Sequence, residues 1–550
     1  MLKSIKFALH SYKSIVYIVD LLKGIKKSYR DAKRLHYQQL TAWQEYAGKI
    51  MSTPLSDQQR GTAVIFGWSQ FEQILAESIV RKSLELGQYR IKVLTSPTPF
   101  VQAAYAAMGV NDVEAFHSYC PIINQKEADS LVKTVTNFQD LIELEYDEVK
   151  IGKYISSTLM RRTRQGSLDL NNPTVKSQIT SLLGQSIASI KGAQALVAKV
   201  DPQVLITVDR GYSPYGEVFD VFVNAGIQVI TWNVAHRDNT IMFKRYNMGN
   251  RDAHPSSLSE RSWEKLRELE WTNKHKETLY SELSSSYESG EWYGEVGTQF
   301  GKSTFDTDQI KNKLKLDKSK KTAIIFSHIF WDATFFWGED LFRDYEDWFV
   351  QTVKAACHNN QLNWLIKVHP ANTTKDRRDG IVGDSSEIIA LREKIGPLPE
   401  HVKVIEADTE INTWSLFKVM DYCLTVRGTV GIEAGLLGKT VLTAGTGRYD
   451  HCGFTHDFDT PEEYLKCLAS LHTIAEPTPI MNEMAQRYGY GVFVCRPLLL
   501  KSINLQFKQD SKASLMTDST VKSIEELKSA SDLKSLTDWI QSEDEDLLVL

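Results

Sequence analysis

The sequence predicts an α/β protein: two Rossmann-like domains facing a cleft, preceded by an N-terminal amphipathic helical extension. Three observations predict it. Strand-sized apolar runs alternate with helix-sized amphipathic stretches from Gly61 onward, and the alternation restarts at Thr322 after a polar stretch. Residues able to do chemistry also recur just past the carboxyl ends of strands, where open α/β sheets bind ligands. A length of 550 residues fits two domains with extras. The composition shifts divide the chain into residues 1–50 (basic helical extension), 60–255 (first domain), 256–320 (helical connection), 321–480 (second domain) and 481–550 (a return segment and polar tail).

Composition sets bounds on function. Hydrophobic content of 42% and charge of 24% are those of a globular protein. A formal net charge of −5 gives no overall basic field, which argues against nucleic acid as a partner. The six cysteines are scattered without a CxxC pair, which fits a reducing cytoplasm and offers no metal site.

Residues 1 to about 40 are rich in lysine and arginine between apolar positions such as Ile5, Phe7, Ile15, Ile18 and Leu22. The apolar stretch is broken by Asp20 and lacks a small-residue cleavage site, so it reads as neither signal peptide nor bilayer span. It fits a basic amphipathic helix on an anionic inner leaflet, or equally a helix packed on the protein body. The first domain follows, with strands at Thr62–Phe66, Tyr89–Leu94, Gln203–Val208 and Gln228–Thr231. Helices fill residues 125–200, with a basic break near 161–172. Asp209 stands at a carboxyl strand end beside Tyr212, as a cleft residue or as a helix cap. Trp232 to Tyr246 reads as a loop at the same edge, where His236, Arg237 and Arg245 meet a substrate or solvent. Polar residues from Gln509 read as a tail that is helical in part and then acidic at Glu543–Asp546.

In the second domain, Thr322–Phe326 is a strand with Ser327, His328 and Asp332 beyond it. Leu362–Val368 is another, carrying Lys367 and ending in His369-Pro370. Tyr422–Val426 forms a strand, Arg427-Gly428-Thr429 a turn, and Val430–Leu437 a helix that Gly438 terminates. Such a turn aims backbone N–H groups and a positive helix end at one spot, which suits phosphate. Thr429 and Glu433, four residues apart, share a helix face: a hydroxyl for phosphate and a carboxylate for ribose. A tightly packed crossover helix capped by Thr429 is the plainer alternative. Gly431 and Gly435 each cost the helix about 1 kcal/mol against alanine, so something approaches that helix closely.

At the level of residues the chain resembles bacterial capsule polysaccharide biosynthesis proteins, the Kdo-transferase-like group of GT-B glycosyltransferases. The matching pieces are Lys321–Phe326 followed by Trp331-Asp332, the Lys367–Pro370 segment and Arg427–Thr443, within about residues 200–500. The resemblance implies metal-independent transfer of a sugar from a nucleotide-activated donor, best a CMP-linked Kdo-like one, to a surface or capsular polysaccharide or a glycolipid. It implies no cofactor beyond that co-substrate, and a cytoplasmic site, peripheral to the inner face of the membrane. The family's His-Pro motif and later Ser/Thr motif map onto His369 and Thr429, and its N-terminal-domain aspartate onto Asp209. Lys367, Arg427 and the Gly428–Thr429 helix start would meet the departing phosphate, with Asp209 as base or nucleophile. The family's later motif is usually Ser-rich, whereas this chain has Arg427-Gly428-Thr429. Three other readings fit the layout: a CDP-alditol phosphotransferase of the teichoic-acid type, a UDP-sugar 2-epimerase, and a non-catalytic GT-B scaffold.

Overall fold

The computed structural model describes Lys23, Ser69 and residues 27–57, 60–67, 71–208, 210–294, 299–332, 334–507 and 515–549. Asp209 and nearly all of the basic stretch 1–26 lie outside the described residues. The first sheet is built from β1 (Gly61–Phe66), β2 (Tyr89–Leu94), β3 (Val113–Glu114), β4 (Pro202–Thr207), β5 (Gln228–Val234) and β6 (Thr240–Tyr246). The second takes β7 (Thr322–Phe326), β8 (Asn363–Lys367), β9 (Val402–Ile405), β10 (Tyr422–Thr425) and β11 (Thr440–Thr443).

Across the second sheet the order is β11-β10-β7-β8-β9, and every pairing is parallel. The chain winds outward from β7 to β9, then restarts at β10 on the other side of β7. The reversal between β7 and β10 opens a crevice at their carboxyl ends. β7 and β8 are buried at every residue. That is why they read as near-continuous apolar runs: helices cover both faces of a parallel sheet. The first sheet winds in the same way about β1 and β4, in the order β12-β6-β5-β4-β1-β2-β3, with β12 (Leu498–Leu499) at its edge. Two Rossmann-like sheets of this kind give the GT-B-like architecture.

Helix α1 (Lys27–Trp43) leads into the first domain, where Leu40, Trp43 and Met51 are buried in its core together with α2 (Phe71–Leu86). This part of the extension therefore packs on the protein body. The basic break separates α3 (Ile151–Thr163) from α4 (Pro173–Val200). Pro173 opens α4, and the Asn172 side chain accepts from Thr174 N at 2.9 Å. Helix α5 (Asn273–Ser289) lies in the connection. The second domain adds α6 (Tyr345–His358), α7 (Ala371–Asp379), α8 (Thr429–Leu436) and α9 (Pro479–Tyr490). The loop after β7 leaves its own domain: Ile329, Trp331, Phe335 and Phe336 are buried in a first-domain core. An apolar plug thus joins the two sheets.

One expectation is corrected. The segment 240–246 is no loop but β6, antiparallel to β5 from Val229↔Tyr246 to Val234↔Ile241. Arg245 accordingly turns away from any cleft and donates to Asp544 O and Trp539 O, both at 2.7 Å. The return segment and the partly helical polar tail pack on the first domain, acidic end included. β12 pairs with β6, β13 (Ile503–Phe507) with β14 (Leu515–Ser519), and α10 (Ser531–Gln541) docks on α2. Asp546, fully buried, accepts from Lys244 Nζ at 3.0 Å and Ser259 N at 2.7 Å, with Arg496 Nη2 at 3.4 Å. Two buried cations need an anion, and the chain end supplies it. Among the described residues, no helix is long and apolar enough to cross a membrane.

Candidate active site

A cavity of about 380 Å³ lies at the carboxyl ends of β7, β8 and β10, closed on one side by residues of the interdomain segment. Ser327, Asp332, Lys367, His369, Arg427, Gly428, Thr429 and Glu433 all line it. Seven residues picked from strand ends and turns in the sequence, and Glu433 from the helix that follows, therefore line one space.

His369 is held at two points. Its backbone N–H donates to Ser327 Oγ at 2.9 Å, and its Nδ1 accepts the N–H of Ala371, the first residue of α7, at 3.2 Å. Ser327 in turn donates to the buried Glu387 at 3.2 Å. Burial, with Lys375 and Lys367 nearby, pushes the His369 pKa down to about 3. The ring is neutral across the physiological range, and Nε2 carries its hydrogen. It offers a hydrogen bond, not a charge. Lys367 is also buried and donates to Val368 O at 2.5 Å and Glu406 O at 3.3 Å. Burial and the neighbouring Lys302 push it down to about 7, so near neutrality it holds its proton only about half the time.

Helix α8 begins at the cavity. Gly428 is its N-cap, and Gly428, Thr429 and Val430 at its start line the cavity wall, while the Gly431 N–H already bonds Gly428 O at 3.0 Å. The two helix glycines have protein neighbours: a Cβ on Gly431 would stand 2.1 Å from the Tyr449 hydroxyl, and one on Gly435 3.0 Å from Phe454. Close approach is thus real, but side chains make it. Glu433 is buried one turn along, accepting the Tyr287 hydroxyl and bonded by Thr429 and Trp292. Burial pushes its pKa up to about 7 against those donors. Arg427 is spent on the walls: it donates to Thr446 O (2.9 Å) and Glu339 O (2.8 Å) and pairs with Asp340 (2.6 Å).

Asp332 closes the side toward the first domain. It accepts from Lys375 of α7, Arg161 of α3 and, at 2.6 Å, the Tyr212 hydroxyl. Burial alone would raise its pKa, but Lys375 and Arg161 hold it well below the usual carboxylate range. His236 and Arg237 do not reach the cavity. His236 is buried with Nε2 2.7 Å from Glu282, and Arg237 meets the same carboxylate at 2.9 Å.

Among the cavity's wall residues, Arg448 and His254 were not singled out from the sequence, whereas His328 was placed beyond β7 with Ser327 and Asp332. Arg448, past β11, donates to Arg427 O (3.1 Å) and Ser256 Oγ (2.7 Å), and its buried Nε has no partner among the described residues. His254 comes from the interdomain segment, its Nδ1 accepting Ser256 N at 3.1 Å and its ring 4.8 Å from Trp337. His328, stacked on Tyr345 at 4.4 Å, accepts Val426 N at Nε2 (3.2 Å). Among the described residues, no group of three or more His, Cys, Asp or Glu could hold a metal ion.

The fold and cavity define a class: a two-domain GT-B-like α/β protein with its imidazole- and cation-lined cavity at the topological switch point of the second sheet. Residues 256–469, which contain that sheet and most of the cavity wall, match the family model described as capsule polysaccharide biosynthesis protein. No curated protein matches the chain. Among solved structures, the β-Kdo 2,4-transferase of Thermosulfurimonas dismutans KpsC is similar at 13% identity and TM-score 0.33, covering 57% of this chain and 85% of its own. The β-Kdo 2,7-transferase of the same KpsC stands at 13% and 0.32, over 61% and 87%. The S. aureus MnaA–UDP co-structure stands at 11% and 0.28, over 78% and 92%.

Proposed function

We propose that this protein is a glycosyltransferase of capsular or related surface-polysaccharide assembly. It takes a sugar from a nucleotide-activated donor, a CMP-linked Kdo-like one in our reading, and passes it to a glycan or glycolipid acceptor at the cytoplasmic face of the membrane. One observation carries the reading: the cavity at the β7/β10 reversal presents hydrogen-bond donors from His369 and the α8 N-terminus within a segment matching a capsule-biosynthesis family. Donors fixed before the reaction stabilise the charge that grows on a departing phosphate without reorganising. Glu433 would receive the ribose hydroxyls. Asp209 is assigned as the carboxylate that activates the acceptor or attacks the sugar.

Thermal unfolding with CMP, CDP and UDP tests the donor. A nucleotide at about 100 times its dissociation constant should add about 2.7 kcal/mol of stability. We expect CMP to stabilise the wild type and to lose that effect in His369→Ala. A CDP preference would point to the alditol phosphotransferase and a UDP preference to an epimerase or another transferase. No response to any of the three would leave the scaffold reading in its place. Separately, Asp209→Asn should lower sugar transfer by about 10²- to 10⁴-fold while nucleotide binding stays within twofold. Unchanged turnover would remove Asp209 from the mechanism.

A further inference from the structure

The three cavity histidines share one device. Each has one ring nitrogen occupied by a backbone N–H: His254 Nδ1 by Ser256 at 3.1 Å, His328 Nε2 by Val426 at 3.2 Å, and His369 Nδ1 by Ala371 at 3.2 Å. Neighbouring hydroxyls reinforce two of these contacts. Ser256 Oγ accepts from Arg448 and sits 2.9 Å from His254 Nδ1, so its own hydrogen is directed at the ring. Thr425 Oγ1 accepts from Gly428 N and lies 3.1 Å from His328 Nε2 in the same sense. A nitrogen that accepts carries no hydrogen, so in the neutral imidazole the other one must. Burial and the arginines around them hold His254 and His328 well below their usual pKa, which keeps both rings neutral.

We infer that His254 and His328, together with His369, are ligand-contacting residues whose remaining ring N–H groups form a pre-set donor ring around a phosphate of the bound substrate. The inference rests on the nucleotide-donor reading above and extends it with two side chains from two further elements. His254 Nε2, His328 Nδ1 and His369 Nε2 have no partner among the described residues, and all three rings line one cavity. Each ring is half-buried at the cavity wall, so its remaining N–H is open to a ligand, and a phosphate oxygen is the acceptor such donors suit. His254 has a particular consequence. It is carried by the segment that Arg210, adjacent to Asp209, holds through Arg251 O and, at 2.8 Å, Ala253 O. Arg210 is thus a positioning residue linking the first domain's strand end to the phosphate.

The test is calorimetric titration of the full chain with CMP, CDP, UDP, inorganic phosphate and the matching nucleosides. Loss of one hydrogen bond to a charged acceptor corresponds to about a tenfold to hundredfold weakening. His254→Phe and His328→Phe keep the ring contacts with Trp337 and Tyr345 but remove the donor. Each should weaken nucleotide and phosphate binding by at least about tenfold and leave nucleoside binding within twofold. His254→Gln, which retains an N–H donor, should recover part of the loss. Nucleotide binding within twofold of wild type in both folded Phe variants would overturn the inference while leaving the donor reading intact. Absence of binding by any phosphate-bearing probe in the wild type would overturn both. Ring ¹⁵N shifts of the unmodified protein give an answer independent of any variant's folding: Nδ1 protonated in His254 or Nε2 protonated in His328 would overturn the assignment.

Discussion

Asp546→Ala is expected to cost about 3–5 kcal/mol of stability, the cost of stranding buried charge when one partner of a buried ion pair is removed. The carboxylate, Lys244 and Arg496 all have fully buried side chains. Removing it leaves Arg496 without its carboxylate and Lys244 with only the half-buried Glu545 at 2.6 Å, and orphans the Ser259 N–H. Denaturant unfolding of the variant checks this, and a loss under about 1 kcal/mol would show that water reaches the cluster. The effect has a pH signature. Burial would raise the Asp546 pKa, but Arg496 and Lys244 hold it well below that of a free aspartate. The group therefore contributes fully above the unfolded value of about 4 and loses its contribution as pH falls below that. The stability gap between wild type and Asp546→Asn should be constant from pH 5 to 8 and narrow in acid. A gap that widens in acid would reverse the sign.

Arg427→Ala should be almost as damaging, and for a structural reason. The guanidinium ties the 339–340 and 446 backbones together and neutralises Asp340 in a buried setting. Its loss strands that carboxylate, at about 3 kcal/mol or more. Arg427→Lys cannot reproduce the planar fork and should recover only part of the loss. If Arg427 serves the walls, nucleotide affinity measured on whatever fraction remains folded will fall little. A stable variant with at least tenfold weaker nucleotide binding would instead return Arg427 to the phosphate.

The parallel strands were legible because burial on both faces writes them as unbroken apolar runs, as in Thr322–Phe326 and Tyr422–Thr425. β6 was not. Its Arg245 read as meeting a substrate or solvent and Lys244 was not singled out, and the groups that receive them, Asp546 and the backbone of Trp539, Ile540 and Asp544, lie some three hundred residues on. No local pattern encodes such a partner. The same contrast divides the site. Ser327, Asp332, His369 and Thr429 follow strand ends, where topology alone assigns a cleft. Arg448 follows the Gly445-Thr446-Gly447 turn past the end of β11, and only the fold of that turn brings it back to the cavity wall. His254 follows no strand end and enters from the connection between the domains. Its role depends on Ser256, Arg210 and Trp337 meeting in space.

The pairing of β12 with β6 has a bearing on how the protein is made. When the ribosome has finished β6, the first sheet still lacks its edge strand and Lys244 its counter-charge. The second domain, by contrast, is emitted as one continuous stretch. At roughly 5–20 residues per second, the first domain must wait on the order of tens of seconds for its missing pieces. In that interval an open strand edge and a buried lysine without an anion are exposed to chaperones and to neighbouring chains. The domain translated first is thus the one completed last.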